Sequence, residues 1–173
     1  MDSLDIAQIL KTDRYTKHYF RGVFPSDRLP RQYLPRPSAL VVNTDPSTKP
    51  GQHWIAIYVT RNGVGEYFDS YGLPPVLPAL SGFLTRNASA VHYNPYRLQG
   101  PLTAVCGQYC LFFLLHRCRD ISMNKILHFF TEDTSDNDFL VNDFVSGHFP
   151  NSNTRVYDIP FVTRQIARAF TLR

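Results

Sequence analysis

Four residues of the sequence have the types and the order that thiol-based acyl transfer requires. His53 precedes Asp69, and the later segment QGPLTAVCG places Gln99 seven residues before Cys106. A cysteine attacks a carbonyl as its thiolate, so it needs a base or a cation nearby. His53 can be that base, and Asp69 can fix its tautomer and stabilise its charged form. The Gln99 amide and the Cys106 backbone N–H can donate to the oxyanion of a tetrahedral intermediate.

The residues that follow the cysteine predict the helix that positions it. From Cys106 to Cys118 the sequence reads CGQYCLFFLLHRC, with Leu and Phe at consecutive positions. This pattern is typical of a helix buried on most sides. Cys106 would be its first residue, where unpaired N–H groups and the positive end of the helix dipole stabilise a thiolate. Gly107 would allow another part of the backbone to approach closely.

The base and the acid are expected on two strands of one hairpin. Residues 53–60 alternate as a central strand does, an Asn-Gly turn follows, and residues 65–70 return antiparallel. The length of the turn decides whether the base and the acid lie on the same face of the hairpin, because a shift of the pairing by one residue moves a side chain to the other face. A three-residue turn would put Asp69 opposite Ile55, one diagonal step from His53.

The remaining pattern predicts an α+β fold with a mostly antiparallel central sheet, packed on a buried central helix that starts at Cys106. The 173 residues are interpreted as a single domain, 1–173. Further strands are expected at 40–43 and 90–93, and further helices at 4–11, 79–84, 121–130, 135–145 and 161–170. Residues 15–37 are expected to form an irregular loop.

Each candidate residue also has an ordinary structural explanation. A lone cysteine at a helix start is usually a small buried apolar residue, and Asp69 before a turn is more often a turn former. The ordered set of four favours chemistry. Glu66 is the alternative acid, although it lies earlier on the strand and faces differently. Cys110, His116 and Cys118 could be mistaken for zinc ligands, but His116 falls away from the first cysteines on the helix. We therefore expect no metal site.

Composition is that of a folded protein, with 43% hydrophobic and 14% aromatic residues. The N-terminal residues lack a basic stretch followed by an apolar run, so secretion is not expected. The longest apolar run, 110–115, is too short to cross a bilayer, so no membrane partner is expected. Three cysteines argue for a reducing, intracellular location over a disulfide framework. A net charge of +4 favours an anionic partner.

Three motifs, HWIAIYV, EYFDSYG and Q-G-P-x-x-A-x-C-G, resemble the adenovirus maturation protease (adenain) family and its relatives in virus-like transposons. That family belongs to a wider clan that includes the ubiquitin-like-protein proteases. The resemblance starts near the N-terminal helix and extends little beyond the helix of Cys106. It implies that His53, Asp69 and Cys106 form a catalytic triad. It also implies that Gln99 belongs to the oxyanion hole and that Trp54 narrows the substrate channel.

The resemblance implies a cysteine endopeptidase that cleaves glycine-containing sites in viral or virus-like capsid and core precursor proteins. One alternative is an isopeptidase acting on ubiquitin or SUMO. The other is an inactive, nucleic-acid-binding capsid accessory, against which the intact Cys106, His53 and Gln99 argue, because a dead enzyme has no chemical reason to keep all three.

The resemblance also implies partners. Adenain-type enzymes are helped by DNA, so non-specific DNA is an expected partner, and they use an activating peptide held through a cysteine. The equivalent position here is Ala88, so such a peptide would bind non-covalently or not be needed, and the sequence itself requires no cofactor. A monomer in the host nucleus and in the virion is expected.

Overall fold

A five-stranded sheet forms the centre of the fold, and its spatial order follows the chain. The structure, a computed structural model, describes residues 1–149. The strands are β1 (Phe20–Pro25), β2 (Ser38–Asn43), β3 (Trp54–Val59), β4 (Val64–Phe68) and β5 (Ala90–Tyr93). The two inner pairings, β2 with β3 and β3 with β4, are antiparallel. The two outer pairings are parallel.

The α+β class is confirmed, but the sheet is mixed where a mostly antiparallel one was expected. A parallel neighbour requires a crossover connection. The chain supplies one between β4 and β5 and another between β1 and β2. The strand β1 lies inside the stretch 15–37 that was expected to be irregular. Its sequence FRGVFP contains Gly and Pro, and its pairing with β2 shifts register between Phe20 and Gly22, so it lacks the alternation that reveals a strand.

Five helices complete the described part of the chain: α1 (Ser3–Thr12), α2 (Pro78–Asn87), α3 (Cys106–Arg117), α4 (Met123–Leu127) and α5 (Thr134–His148). The helix expected to begin at Cys106 is confirmed. The helix expected at 135–145 extends from Thr134 to His148, and its N-cap is Asp133. The helix expected at 161–170 lies outside the described residues. None of the helices within residues 1–149 is long and apolar enough to cross a membrane.

The sheet is covered on both faces. The helix α3 packs on one face, where Phe68 of β4 stacks on Phe113 with ring centroids 4.6 Å apart. On the opposite face, Leu80 and Phe83 of α2 join the cluster that contains Ile57 of β3. Every residue of β2 is buried, as expected for a strand covered on both sides. The packing of α3 against β3 brings its first turn to the sheet.

Two ion pairs anchor the C-terminal end of α3. Arg117 donates to Glu66 of β4 at 2.6 Å, and Arg119 donates to Asp13, at the end of α1, also at 2.6 Å. Arg117 also lies over the ring of Tyr58, 4.5 Å from its centroid. Glu66 is therefore occupied at the end of α3 that lies farthest from Cys106, which excludes it as the acid of the site.

His116 is a buried neutral base in the core. Its Nδ1 lies 2.6 Å from the Phe112 carbonyl oxygen, and its Nε2 has no hydrogen-bond partner among the described residues. The rings of Phe129 and Phe144 pack on it at 5.6 and 5.2 Å. Burial lowers the pKa of His116 from 6.5 to about 4, outweighing the Phe112 carbonyl, and the positive charges of Arg119 and His148 act in the same direction.

We predict that His116 makes the protein acid-sensitive. Because its pKa is lower in the folded state, its contribution to stability is complete above pH 6.5 and is lost as the pH falls from 6.5 to 4. The loss should reach about 3 kcal/mol, since one pKa unit corresponds to about 1.4 kcal/mol. Denaturant unfolding of His116→Phe across this range should show a smaller acid-dependent loss than the parent protein. His92→Ala, which changes an exposed histidine on β5, should leave the loss unchanged, and an identical loss in His116→Phe would refute the assignment.

Candidate active site

The hairpin of β3 and β4 places His53 beside Asp69. Ala56 pairs with Phe68, and the Thr60 N–H donates to the Val64 carbonyl at 2.8 Å, which leaves a three-residue turn. Extending this register by one residue sets Asp69 across from Ile55, as predicted. His53 immediately precedes β3, and its Nε2 lies 2.8 Å from Asp69 Oδ1.

Asp69 is held by backbone and amide groups that the sequence did not reveal. Its Oδ1 also accepts the Tyr71 N–H at 2.8 Å. Asn94, which is fully buried, accepts the Asp69 N–H at 2.8 Å and donates its side-chain amide to the Asp69 carbonyl at 2.6 Å. An Asn in the loop after β5 carries no periodic signal, so sequence patterns alone could not have identified it.

Cys106 lies where the first turn of α3 meets the start of β3. Its thiol lies close enough to the imidazole of His53 and to the backbone N–H groups of Trp54 and Gly107 for all three to lower the thiol pKa. Because Asp69 occupies Nε2 of His53, Nδ1 is the nitrogen left to exchange a proton with the thiol. A Cβ atom at Gly107 would lie 3.3 Å from the sulfur of Met1, so the glycine accommodates a side chain and not the backbone that was expected.

The electrostatics favour a thiolate–imidazolium pair. Burial lowers the pKa of His53, but the hydrogen bonds and charges of Asp69 and Cys106 outweigh it and raise that pKa from 6.5 to about 9. Burial raises the pKa of Cys106, but His53 and the N–H groups of Trp54 and Gly107 outweigh it, and the pKa falls below 9.0. The imidazole is therefore protonated at neutral pH, and its charge favours the thiolate form of Cys106.

The other two cysteines have the opposite environment. Burial raises the pKa of Cys110 well above 9.0 and that of Cys118 to about 12. Both are core residues. In residues 1–149 no three His, Cys, Asp or Glu side chains are grouped as metal ligands.

Gln99 is buried, and the orientation of its amide is determined by Ser70. The Ser70 hydroxyl donates to Oε1 at 2.7 Å, which turns Nε2 toward the Thr103 carbonyl at 2.6 Å. The remaining hydrogen of Nε2 has only a long contact with the Tyr71 hydroxyl, at 3.4 Å. That hydrogen is the one an incoming oxyanion can take.

Tyr71 is a further residue of the site that the sequence did not single out. Its ring lies on the imidazole of His53, with centroids 4.8 Å apart, and Arg97 lies 5.2 Å from the centroid of the same ring. The position of Tyr71 in EYFDSYG, two residues after the acid, was the available signal.

Trp54 lines a groove of about 390 Å³ whose lining residues include none of the four candidate site residues His53, Asp69, Gln99 and Cys106. The indole is half-buried and packs against the core. Met1, which contacts Gly107, and the loop residue Asp45 also line the groove. The predicted role of Trp54 in narrowing a substrate channel stays a prediction, but its position at the groove and beside the sulfur is suited to that role.

No family model matches the chain. A cysteine protease of African swine fever virus, from a Malawian tick isolate, is 32% identical over 99 residues, which are 50% of this chain and 36% of the relative. Its counterpart from a South African tick isolate is named a SUMO-1 cysteine protease and is 32% identical over 110 residues, 57% of this chain and 39% of the relative. The chain thus spans about two fifths of these relatives.

Solved structures also match the chain, among them the following two. The crystal structure of the African swine fever virus protease is 29% identical with a TM-score of 0.42, and the match covers 60% of this chain and 43% of that one. ChlaDub1 of Chlamydia trachomatis is 17% identical with a TM-score of 0.47, and the match covers 84% of this chain and 75% of that one. The sequence similarity is to proteins named cysteine proteases, one of them a SUMO-1 cysteine protease, and it does not single out the adenain family.

We predict that Cys106 is alkylated by iodoacetamide at lower pH than an ordinary thiol, because its pKa is lowered and the thiolate is the reactive form. Asp69→Asn should shift the alkylation profile to higher pH, since the imidazolium loses its carboxylate partner and no longer stabilises the thiolate. Mass spectrometry over a pH series measures both effects. Glu66→Gln, which removes the other buried carboxylate of the hairpin, should keep the parent profile. Modification of Cys110 or Cys118 ahead of Cys106 would contradict the assignment.

Proposed function

We propose that the protein is a cysteine protease in which Cys106 is the nucleophile, His53 the general base and acid, and Asp69 the residue that orients His53. The observation that carries this proposal is the position of Cys106, at the first turn of α3, next to His53, whose imidazole is hydrogen-bonded to Asp69. The sequence similarity to cysteine proteases supports it independently.

In this proposal each step of peptide hydrolysis is carried out by a named residue. The Cys106 thiolate attacks the carbonyl carbon, and the oxygen becomes negative in a tetrahedral intermediate. The free N–H of Gln99 and the backbone N–H of Cys106 donate to that oxygen. The intermediate collapses as His53 gives its proton to the leaving amine. His53 then takes a proton from water, which attacks the thioester and releases the acid product.

The groove beside Trp54 favours an extended substrate with small residues at the scissile bond. Trp54 directly follows the base, and Cys106 is buried at the start of α3, so we expect little room there for a substrate side chain and a preference for glycine. Backbone hydrogen bonds would hold such a segment without reading its side chains. This supports an endopeptidase of the adenain type that cleaves glycine-containing sites in viral or virus-like precursor proteins.

The second candidate is an isopeptidase that releases a ubiquitin-like protein. The observation that favours it is the name of a relative, a SUMO-1 cysteine protease. Both candidates use the same triad and a glycine at the scissile carbonyl. They differ in whether a folded ubiquitin-like partner must bind, which a comparison of short peptides with SUMO-1 fusions would measure.

The other expectations stay predictions: DNA binding, a non-covalent activating peptide, a monomeric state and a nuclear location. Ala88, where the resemblance expects the cofactor-binding cysteine of adenain-type enzymes, is the C-cap of α2. A Cβ atom on Gly65 would lie 2.9 Å from the Ala88 methyl group. The position is therefore packed against β4.

We predict that Gln99→Ala lowers kcat by about 10²- to 10³-fold, as loss of one oxyanion donor does elsewhere. Cys106→Ala should abolish turnover and leave folding nearly intact. Steady-state cleavage of a glycine-containing peptide measures these changes, and Gln32→Ala, at an exposed loop position, is the matched control. A Gln99→Ala enzyme within twofold of the parent would remove Gln99 from the mechanism.

We predict that a peptide library is cleaved at Leu/Ile/Met-x-Gly-Gly or Leu/Ile/Met-x-Gly-x-Gly sites. Glycine at the scissile carbonyl follows from the space beside Trp54, and the upstream aliphatic residue follows from the resemblance. Sequencing of the cleaved products gives the profile. A preference for a large or charged residue at the scissile carbonyl would defeat both arguments.

A further inference from the structure

The segment 98–100, which carries Gln99, is buried although it belongs to no helix or strand. Buried backbone groups in such a segment must find hydrogen-bond partners elsewhere. The Ser70 carbonyl takes two of them, accepting the N–H groups of Leu98 at 2.8 Å and Gln99 at 3.0 Å. The Leu98 carbonyl before Gln99 and the Gly100 N–H after it form hydrogen bonds with side chains of α5.

Two neighbouring side chains of α5 provide these partners. The Gly100 N–H donates to both carboxylate oxygens of Asp138, at 3.3 and 3.2 Å. Asn137 donates its side-chain amide to the Leu98 carbonyl at 3.1 Å. The hydroxyl of Tyr109, on α3, lies 2.9 Å from the Leu98 carbonyl oxygen and 2.9 Å from Asp138 Oδ1. The backbone is therefore held immediately before and immediately after Gln99.

The glycine after Gln99 gives a second, independent sign of this contact. A Cβ atom at Gly100 would lie 2.8 Å from Asp138 Oδ2, closer than real Cβ contacts allow. The backbone of Gly100 comes this close to the carboxylate because the residue has no side chain. The glycine of the QGP motif is thus explained by the helix that packs on it.

We propose that Asp138, assisted by Asn137, is a positioning residue for the oxyanion donor. The inference rests on the proposed function, because it deepens the role of Gln99 in the same site. The Asp138 carboxylate, a charged acceptor on a helix, holds the backbone N–H of Gly100. Because Gln99 is the preceding residue, this also holds the backbone atoms from which the Gln99 side chain extends. The contacts reach the oxyanion donor and not the thiolate. A misplacement of about 1 Å costs an enzyme on the order of 10²-fold in rate.

The test separates positioning from general support of the fold. In Asp138→Ala, kcat for a peptide with glycine at the scissile carbonyl should fall on the order of tenfold to a hundredfold, with KM unchanged. The matching peptide aldehyde should bind more weakly by a similar factor, because the oxygen of its hemithioacetal needs the same donor. The rate and pH profile of Cys106 alkylation should stay as in the parent. Asp143→Ala, which removes an exposed carboxylate from the same helix, should change none of these.

Conservative variants complete the test. Asp138→Asn keeps an acceptor oxygen for the Gly100 N–H and should recover most of kcat. Tyr109→Phe removes one hydroxyl from the same set of contacts and should lower kcat selectively even if Asp138→Ala folds poorly. Parental kcat in a folded Asp138→Ala and in Tyr109→Phe would overturn the positioning role alone. Equal losses of alkylation and turnover would overturn it too. No cleavage and no aldehyde adduct in the parent protein would overturn the proposed function and this inference with it.

Discussion

The contact between the first turn of α3 and the start of β3 is the constraint on which the site depends. Cys106 and His53 come from elements far apart in the sequence, and their side chains interact only when α3 lies at the right depth on the sheet. That depth is set by apolar packing, including the stacked rings of Phe68 and Phe113. Because protein interiors are close-packed, such a contact holds a helix with little freedom to slide. The relative position of Cys106 and His53 is therefore determined by the packing of the hydrophobic core.

The same helix shows why a charged pair is tolerated in a mostly buried place. The N-terminus of α3 has no side-chain cap, so its unpaired N–H groups and the positive end of its dipole favour an anion there. The Cys106 thiolate is that anion. His53 carries the balancing charge and Asp69 stabilises it, while Asn94 holds the backbone of Asp69. A buried pair is costly unless each member has partners, and here each one does.

The parts of the molecule that could be predicted from sequence are those that depend on periodicity and turn length. The apolar run after Cys106 predicted α3, and the three-residue turn predicted that Asp69 would lie opposite Ile55. The strand β1 could not be predicted, because a bulged edge strand that contains Gly and Pro shows no alternation. The partners of Gln99 could not be predicted either, since the orientation of its amide depends on Ser70, 29 residues away, a contact that leaves no local pattern.

The role of α5 shows how a segment outside the recognisable motifs can serve the chemistry. The resemblance to a known family ends near α3, yet Asn137 and Asp138 supply the hydrogen bonds that hold residues 98–100. These bonds go to backbone groups, which are the same in every residue, so they require an acceptor or donor at a point in space and no particular sequence around it. A helix can meet that requirement with two polar side chains and without a sequence motif around them. An active site then includes the elements that hold its backbone in place. Motif similarity alone misses such elements when, like α5, they lie outside the motifs.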